Sequence, residues 1–459
     1  MNTRLPLASR LTHFSALNRR QLGASVIAAG ALAVAGRFGD ASTARAQGAT
    51  GKITVGFESG NELILGIVEQ TAEAFQAANP DAEIELKPGA AGNYTTQLVL
   101  ALTTGTAPDV FFTSGLGIAE FSGAGFIEPL DGWVAEWDDW TQYSEIVRSA
   151  IAYEGSIWAL PFALDTHFLY YRKDLFEQAG LPREWQPATT DEVLAAAHAL
   201  KELGGDIIPY ALYAGPNGGN STAVRGFLPL LYAYGGALTD ESGKWIIESC
   251  PIRDALAYYE TAFRIDETVP QDAMTAADPP RMLREAMLTG ELGMLYDGSW
   301  VYGGWAAADP ETTMGEIGFA LHPRANGGDP FAVGAVGNSW YINARAQSKD
   351  LAWEFVKAIN SPEALVQFNS LDPHIPPRAD AAADPAFQSN PFFQAMVASE
   401  SVLVTASPDP AFRQLVGVIQ NATGIVANGE ADPAAAMTRY GEEMTRILGE
   451  ENVVTQPCS

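Results

Sequence analysis

Two hydrophobic periods alternate along most of this chain. Ile53, Val55 and Phe57 mark a short buried strand, and a helical stripe follows at Leu63, Ile67, Ala74, Phe75 and Ala78, ending before Asn79-Pro80. Ile84 and Leu86 alternate as a second strand, Leu98 and Leu102 lie on a second helix that breaks at Gly105, and Asp109 to Phe112 makes a third strand. This β-α-β-α-β order predicts a parallel sheet, whose ligands usually sit beyond the carboxyl ends of the strands. Here those ends are Glu58 to Asn61 and Thr113 to Gly117, which makes Glu58, Asn61, Thr113 and Ser114 candidate contacts. Further on, Thr189-Thr190-Asp191-Glu192 is a capping box opening an Ala-rich helix that stops at Gly204-Gly205. Ile207 to Leu212 is a strand, Leu228 to Tyr234 an aromatic helix, Ile252 to Ile265 another helix, and Ser348 and Ser361 each begin a helix.

The long apolar run from Ile157 to Asp174 breaks this rhythm. Pro161 has no backbone donor and Asp165 places a carboxylate among apolar neighbours, neither of which suits an ordinary central strand. Two readings stand: a strand, a turn and a second strand with Asp165 solvated, or a chain that leaves one domain for another and carries the acid with it.

Composition narrows the setting. Asn18-Arg19-Arg20-Gln21-Leu22, a short apolar run to Ala35 and the small-x-small pattern Ala44-Arg45-Ala46 predict that residues 1–46 are a twin-arginine export signal. No Cys lies near the cleavage site, so a lipoprotein anchor is not expected. Cleavage would remove six arginines and one aspartate, taking the formal charge from −28 to −33, a balance that argues against nucleic acid and anionic lipid as partners. Apart from the signal no apolar segment is long enough to span a bilayer, so the mature chain is expected to be soluble, periplasmic or extracellular. Its length implies two lobes. Cys250 and Cys458 either form a disulfide tying the C-terminus to the middle of the chain or remain free.

Little in the motifs points to catalysis. Ser114-Gly115-Leu116-Gly117 lacks the third glycine of a dinucleotide loop, because Glu120 stands there. There is no His-Glu-x-x-His, no Gly-x-Ser-x-Gly and no paired metal-ligand spacing, so neither cofactor, metal nor catalytic residue is expected. A glycoside hydrolase would need two carboxylates flanking a bond; Glu58, Asp165 and Asp297 are the acids to consider, and nothing in the sequence places them so.

Several stretches, in this order, resemble the bacterial extracellular solute-binding proteins of the carbohydrate-uptake type, the family that includes maltodextrin-binding proteins. Pro161, Asp165, Tyr171, Lys173, Asp174 and Leu175 match its first inter-lobe crossover, and Gly105-Thr106-Ala107-Pro108-Asp109-Val110 its Gly-x-x-Pro-Asp-Val element, in which Asp109 would be structural. Gly290 to Trp300 is similar to its Gly-x-x-Ala/Gly-Met, short strand and Gly-x-Trp, where the Trp stacks on a sugar in the maltodextrin binders. The resemblance implies a two-lobed α/β clamshell with three crossovers, residues 47–163 and 322–373 in one lobe and 164–321 and 374–459 in the other. It also implies capture of a solute between the lobes, delivery to transmembrane ABC permease subunits, a monomer, and no covalent chemistry. Carried over residue by residue, it adds Asp165, Tyr234 before Gly235-Gly236, Trp300, Asn338, Ser339 and Trp340 of the Gly337 loop, His374 where the family more often has Gly, and Arg413.

A carbohydrate suits these candidates on physical grounds as well. Sugar faces pack C–H groups on aromatic planes, and their rims need planar hydrogen-bonding side chains, uses that fit Trp300 and Tyr302 beside a turn containing Asp297. The competing ligand classes are polyamines, which favour an aromatic box with several acids, and glycerol-phosphate-type anions, for which Arg413 and Arg225 are the available cations.

Overall fold

A computed structural model describes residues 49–458 apart from 60–61, 91–92, 272–275, 277 and 406–410; the export-signal expectation and Asn61 fall outside the described residues. The described chain forms two compact units, the first made of the residues through Thr166 together with Gly334–Pro410, the second of His167–Val333 and Ala411–Ser459.

The first unit begins with β1 (Gly51–Glu58), α1 (Glu62–Ala78), β2 (Ala82–Gly89), α2 (Tyr94–Thr104) and β3 (Val110–Ser114). Both β2 and β3 run parallel to β1, as the alternation of strands and helices requires. Ile53, Val55, Phe57, Phe111 and Leu98 are buried between sheet and helices, each apolar side chain contributing about 1.5–3 kcal/mol. Helix α2 ends at Gly105, whose φ of 75° lies in the left-handed region that favours glycine. Asp109 is structural: one carboxylate oxygen accepts from the Thr54 amide and hydroxyl, both at 2.8 Å, tying the start of β3 to β1. The chain then reaches β4 (Leu160–Pro161) and β5 (Leu164–Arg172), and it passes into the second unit between Thr166 and His167, inside β5.

In the second unit α3 (Thr190–Lys201) is capped by Thr189, which accepts from the Glu192 amide at 3.2 Å, while Glu192 accepts from the Ala188 amide at 2.8 Å. There follow β6 (Ile208–Ala211), a π-helical turn at Thr222–Phe227, α4 (Leu228–Ala233), β7 (Trp245–Glu248), α5 (Cys250–Glu260), α6 (Pro279–Thr289), β8 (Leu292–Gly298), α7 (Trp300–Ala308) and β9 (Ile317–Ala320). Strand β8 lies parallel to β6 and antiparallel to β5, and β9 is also antiparallel to β5.

The return to the first unit falls inside β10 (Ala332–Val336), and β11 (Asn338–Ile342) enters the first sheet, whose strand order is β2-β1-β3-β11-β4. Helices α8 (Lys349–Ile359) and α9 (Pro362–Leu371) follow. The third passage was expected near residue 374 but comes after Pro410. The backbone of Ile375 exchanges hydrogen bonds with Leu164, Arg378 bonds Asp139 at 3.0 Å, and the Ser399 hydroxyl lies 2.9 Å from that of Thr166; these contacts keep the segment in the first unit. Helices α10 (Phe412–Ala427) and α11 (Pro433–Leu448) close the second unit, and β12 (Val453–Thr455) pairs parallel with β7. Cys458 is disulfide-bonded to Cys250 at the head of α5. No described helix is long and apolar enough to cross a membrane.

Candidate functional site

In the first unit the polar candidates gather where the parallel strands end. Val55 and Gly56 of β1 stand opposite Val110 and Phe111 of β3, so Glu58 and Ser114 finish neighbouring strands, and Asn338 pairs with Ser114 from the antiparallel side. The Gly115 amide donates to the Gly337 carbonyl at 2.7 Å, the Gly337 amide to Ala163 at 3.0 Å, and the Phe162 amide to Asn338 at 2.9 Å. The start of β11 is thus clamped against the segment carrying Asp165. Glycine at 337 allows this close approach, because a Cβ there would lie 2.6 Å from Asp165 Oδ1 and 3.0 Å from the Ala163 carbonyl. A Cβ on Gly334 would in turn collide with the Asp165 carbonyl.

Asp165 keeps 28% of its side chain exposed and lies 3.5 Å from His374 Nε2. The His374 ring stacks on Phe368 at 5.9 Å, and its Nδ1 donates to the Asp372 carbonyl at 2.7 Å, which turns Nε2 towards the acid. Glu58 and Ser114 are half-buried and Asn338 is exposed, so these three, with Asp165, form an accessible polar edge.

Three other candidates of this unit are not on that edge. Ser339 and Trp340 have no exposed surface, and Thr113 is 7% exposed. Strand β11 lies between β3 and β4 in the sheet, and beyond Asn338 its side chains on both faces are buried; the Trp340 ring packs on Phe112 at 4.6 Å and Phe162 at 6.2 Å.

In the second unit the expectation for Trp300 and the possibility held open for Asp297 separate. Asp297 is fully buried. Arg284 binds it through two hydrogen bonds of 2.7 and 3.0 Å, the Gly298 amide donates to it at 2.8 Å, and Arg225 Nε stands 3.1 Å from Oδ1. Burial alone would raise the pKa of this carboxyl, but the charges of Arg225 and Arg284 and the Arg284 and Gly298 hydrogen bonds hold it below the ordinary carboxylate value. With both oxygens occupied, Asp297 is a structural anion and not a ligand-facing or proton-transferring group.

Trp300 is half-buried at the start of α7. The Arg225 guanidinium lies 5.1 Å from its ring centroid, and the buried His167, its Nδ1 2.7 Å from the Val333 carbonyl, meets it edge-on at 5.5 Å. Tyr302, 5% exposed on the inner side of α7, is enclosed and offers no sugar-stacking face. Tyr234 lines a separate hollow of about 310 Å³ with Asp191, Leu194, Asp254, Ala257, Tyr258 and Thr261, none of which belongs to the Asp297 group. The Arg413 side chain lies outside the described residues.

Arg284 and His167 escaped the sequence reading, and Arg225 entered it only as a scattered cation. The one local signal was Asp297 itself, an acid in the otherwise apolar strand Leu292–Gly298, because a buried carboxylate demands cations from elsewhere. Among the described residues no group of His, Cys, Asp and Glu is placed to hold a metal ion.

Two α/β units are thus joined by repeated crossings, with polar groups at the strand ends of the first. The chain belongs to the bacterial extracellular solute-binding proteins, whose family pattern matches residues 62–366. It is 24% identical over 404 residues to the maltotriose-binding protein of Pyrococcus abyssi, covering 84% of this chain and 80% of that one. Over a shorter stretch of 176 residues, 36% of this chain and 39% of the relative, it is 33% identical to the sn-glycerol-3-phosphate-binding periplasmic protein of Escherichia coli. The fold matches that of an ABC transporter solute-binding protein from Thermotoga lettingae, solved with α-D-tagatose, with a TM-score of 0.74 at 24% identity, covering 87% of this chain and all of that one.

Proposed function

We propose that this protein is the carbohydrate-binding component of an ABC import system, with Asp165, Ser114, Asn338 and Glu58 contributed by the first unit and the indole of Trp300 by the second. The observation that carries the reading is Trp300 at the start of α7, an aromatic plane held beside a guanidinium and paired in chemical type with an accessible edge of acid, amide and hydroxyl. Such a set binds a neutral polyhydroxyl compound by stacking and bidentate hydrogen bonds. Residues 1–46 export the chain, membrane permease subunits receive the solute, and the protein works as a monomer without chemistry on its cargo. A relative that binds maltotriose and a fold neighbour that holds tagatose support a sugar.

A second reading, a glycerol-phosphate-type solute, draws on one observation: Arg225 and Arg284 face a single acid, leaving one positive charge in that group. A thermal-shift screen of the mature protein with maltotriose, lactose, D-tagatose, sn-glycerol 3-phosphate and spermidine separates the readings. A ligand at 100 times its Kd adds about 2.7 kcal/mol of stability. A shift with a sugar recovered unchanged, abolished by Asp165→Ala and by Trp300→Ala, supports uptake. A shift with the phosphate alone moves the assignment to the anion, and consumption of the sugar defeats both.

A further inference from the structure

Within the second unit Asp297 and Trp300 are three residues apart, and a cation from a distant segment links them. Arg225 Nη1 donates to the Ser221 hydroxyl at 2.8 Å, its Nε stands 3.1 Å from Asp297 Oδ1, and its guanidinium carbon lies 5.1 Å from the Trp300 centroid. Arg225 belongs to the π-helical turn Thr222–Phe227, just ahead of Pro229. Proline has no amide hydrogen to close an α-turn on the Arg225 carbonyl, and the widened turn that results changes where the Arg225 side chain points. Gly226 in the same turn is close-packed, since a Cβ there would lie 2.5 Å from the Tyr213 carbonyl. Gly298 completes the frame, because a Cβ on it would enter the Trp300 ring.

We propose that Asp297 and Arg225 are positioning residues for ligand recognition: the buried acid fixes the guanidinium, and the guanidinium fixes the plane of the Trp300 indole. The inference rests on Trp300 as the stacking surface proposed above. Arg284 neutralises the acid and holds it from the other side, so the aromatic plane is set before any ligand arrives and its ordering cost is not charged to binding. A lysine at 225 would keep the charge but lose the flat group that lies over the ring.

The test uses the mature chain labelled with 4-fluorotryptophan, whose fluorine is carried by Cε3, a ring position beside the three that lie nearest Gly298. The chain has ten tryptophans, and Trp300→Phe assigns the resonance of interest among them. Arg225→Met, Arg225→Lys and Asp297→Glu should each shift and broaden the Trp300 signal while the other signals stay in place. A Trp300 signal unmoved in Arg225→Met, or restored by Arg225→Lys, overturns the role of Arg225. One unmoved in Asp297→Glu, which keeps the charge and displaces it by a methylene, overturns that of Asp297. Maltotriose titration then reads the consequence: Arg225→Met and Arg225→Lys should each weaken binding about tenfold with folding intact. Wild-type affinity in a variant whose Trp300 signal has moved defeats the link to recognition. Failure of wild type to bind any sugar defeats the carbohydrate reading instead, and leaves the fluorine result to decide the positioning.

Discussion

Asp297 and Asp165 are the same residue type with opposite expected consequences on replacement by asparagine. Asp297→Asn removes the fully buried anion that faces Arg284 and Arg225, whose side chains are 29% and 14% exposed. Breaking a buried, hydrogen-bonded ion pair typically costs 3–5 kcal/mol, and the partial exposure of both guanidinium groups, which lets water reach them, puts the expectation near the lower end, about 3 kcal/mol. Asp165→Asn alters a carboxylate that is 28% exposed and 3.5 Å from a histidine, so its effect on stability should stay below about 1 kcal/mol. The loss of a charged hydrogen bond to ligand, about 1.5–3 kcal/mol, should instead weaken binding by roughly ten- to more than hundredfold. Urea unfolding followed by tryptophan fluorescence, alongside ligand titration, measures both quantities. Because the native pKa of Asp297 is depressed, its contribution is present above the unfolded value near 3.8 and is lost as pH falls through the lower native value. The gap between wild type and Asp297→Asn should therefore narrow in acid. A cost below about 0.5 kcal/mol for Asp297→Asn, the scale of an ordinary surface change, would refute the assignment of this acid to structure.

Other consequences can be checked with the same preparations. Burial pushes His322 down to about 4, so between that value and about 6.5 the unfolded chain holds the extra proton; stability should rise with pH across this window by about 3 kcal/mol in total, and His322→Gln should flatten the rise in a pH series of urea melts. Gly298→Ala should displace Trp300 and lower ligand affinity while leaving β8 paired, which the ligand titration and amide exchange along 292–297 would report. The Cys250–Cys458 bond closes a separation of 208 residues, for which the chain-entropy model sets a ceiling of roughly 5 kcal/mol. Since β12 is only Val453–Thr455, Cys458→Ser should first release the tail, seen as faster exchange at 453–456; unchanged protection there would show that pairing with β7 suffices.

Much of the fold was legible in the chain itself. The β-α-β-α-β order around Ile53 to Phe112, the stop at Gly105 and the cap at Thr189 all appear as read, because each depends on neighbours within a few residues or on a strongly periodic apolar face. The places of Glu58 and Ser114 were also legible, since neighbouring parallel strands bring their carboxyl ends together, whereas Thr113 beside them is enclosed. Other features required the folded chain. Whether Ser339 and Trp340 face solvent or core depends on which strands flank β11, and residues 374–405 belong with the first unit through contacts to Leu164, Asp139 and Thr166, all more than two hundred residues away. Sequence could mark Asp297 as an acid in an apolar strand, but it could not say that Arg225 and Arg284 turn inward to meet it. Local periodicity decides which face of an element is apolar; only tertiary packing decides which distant charge removes the cost of burying another.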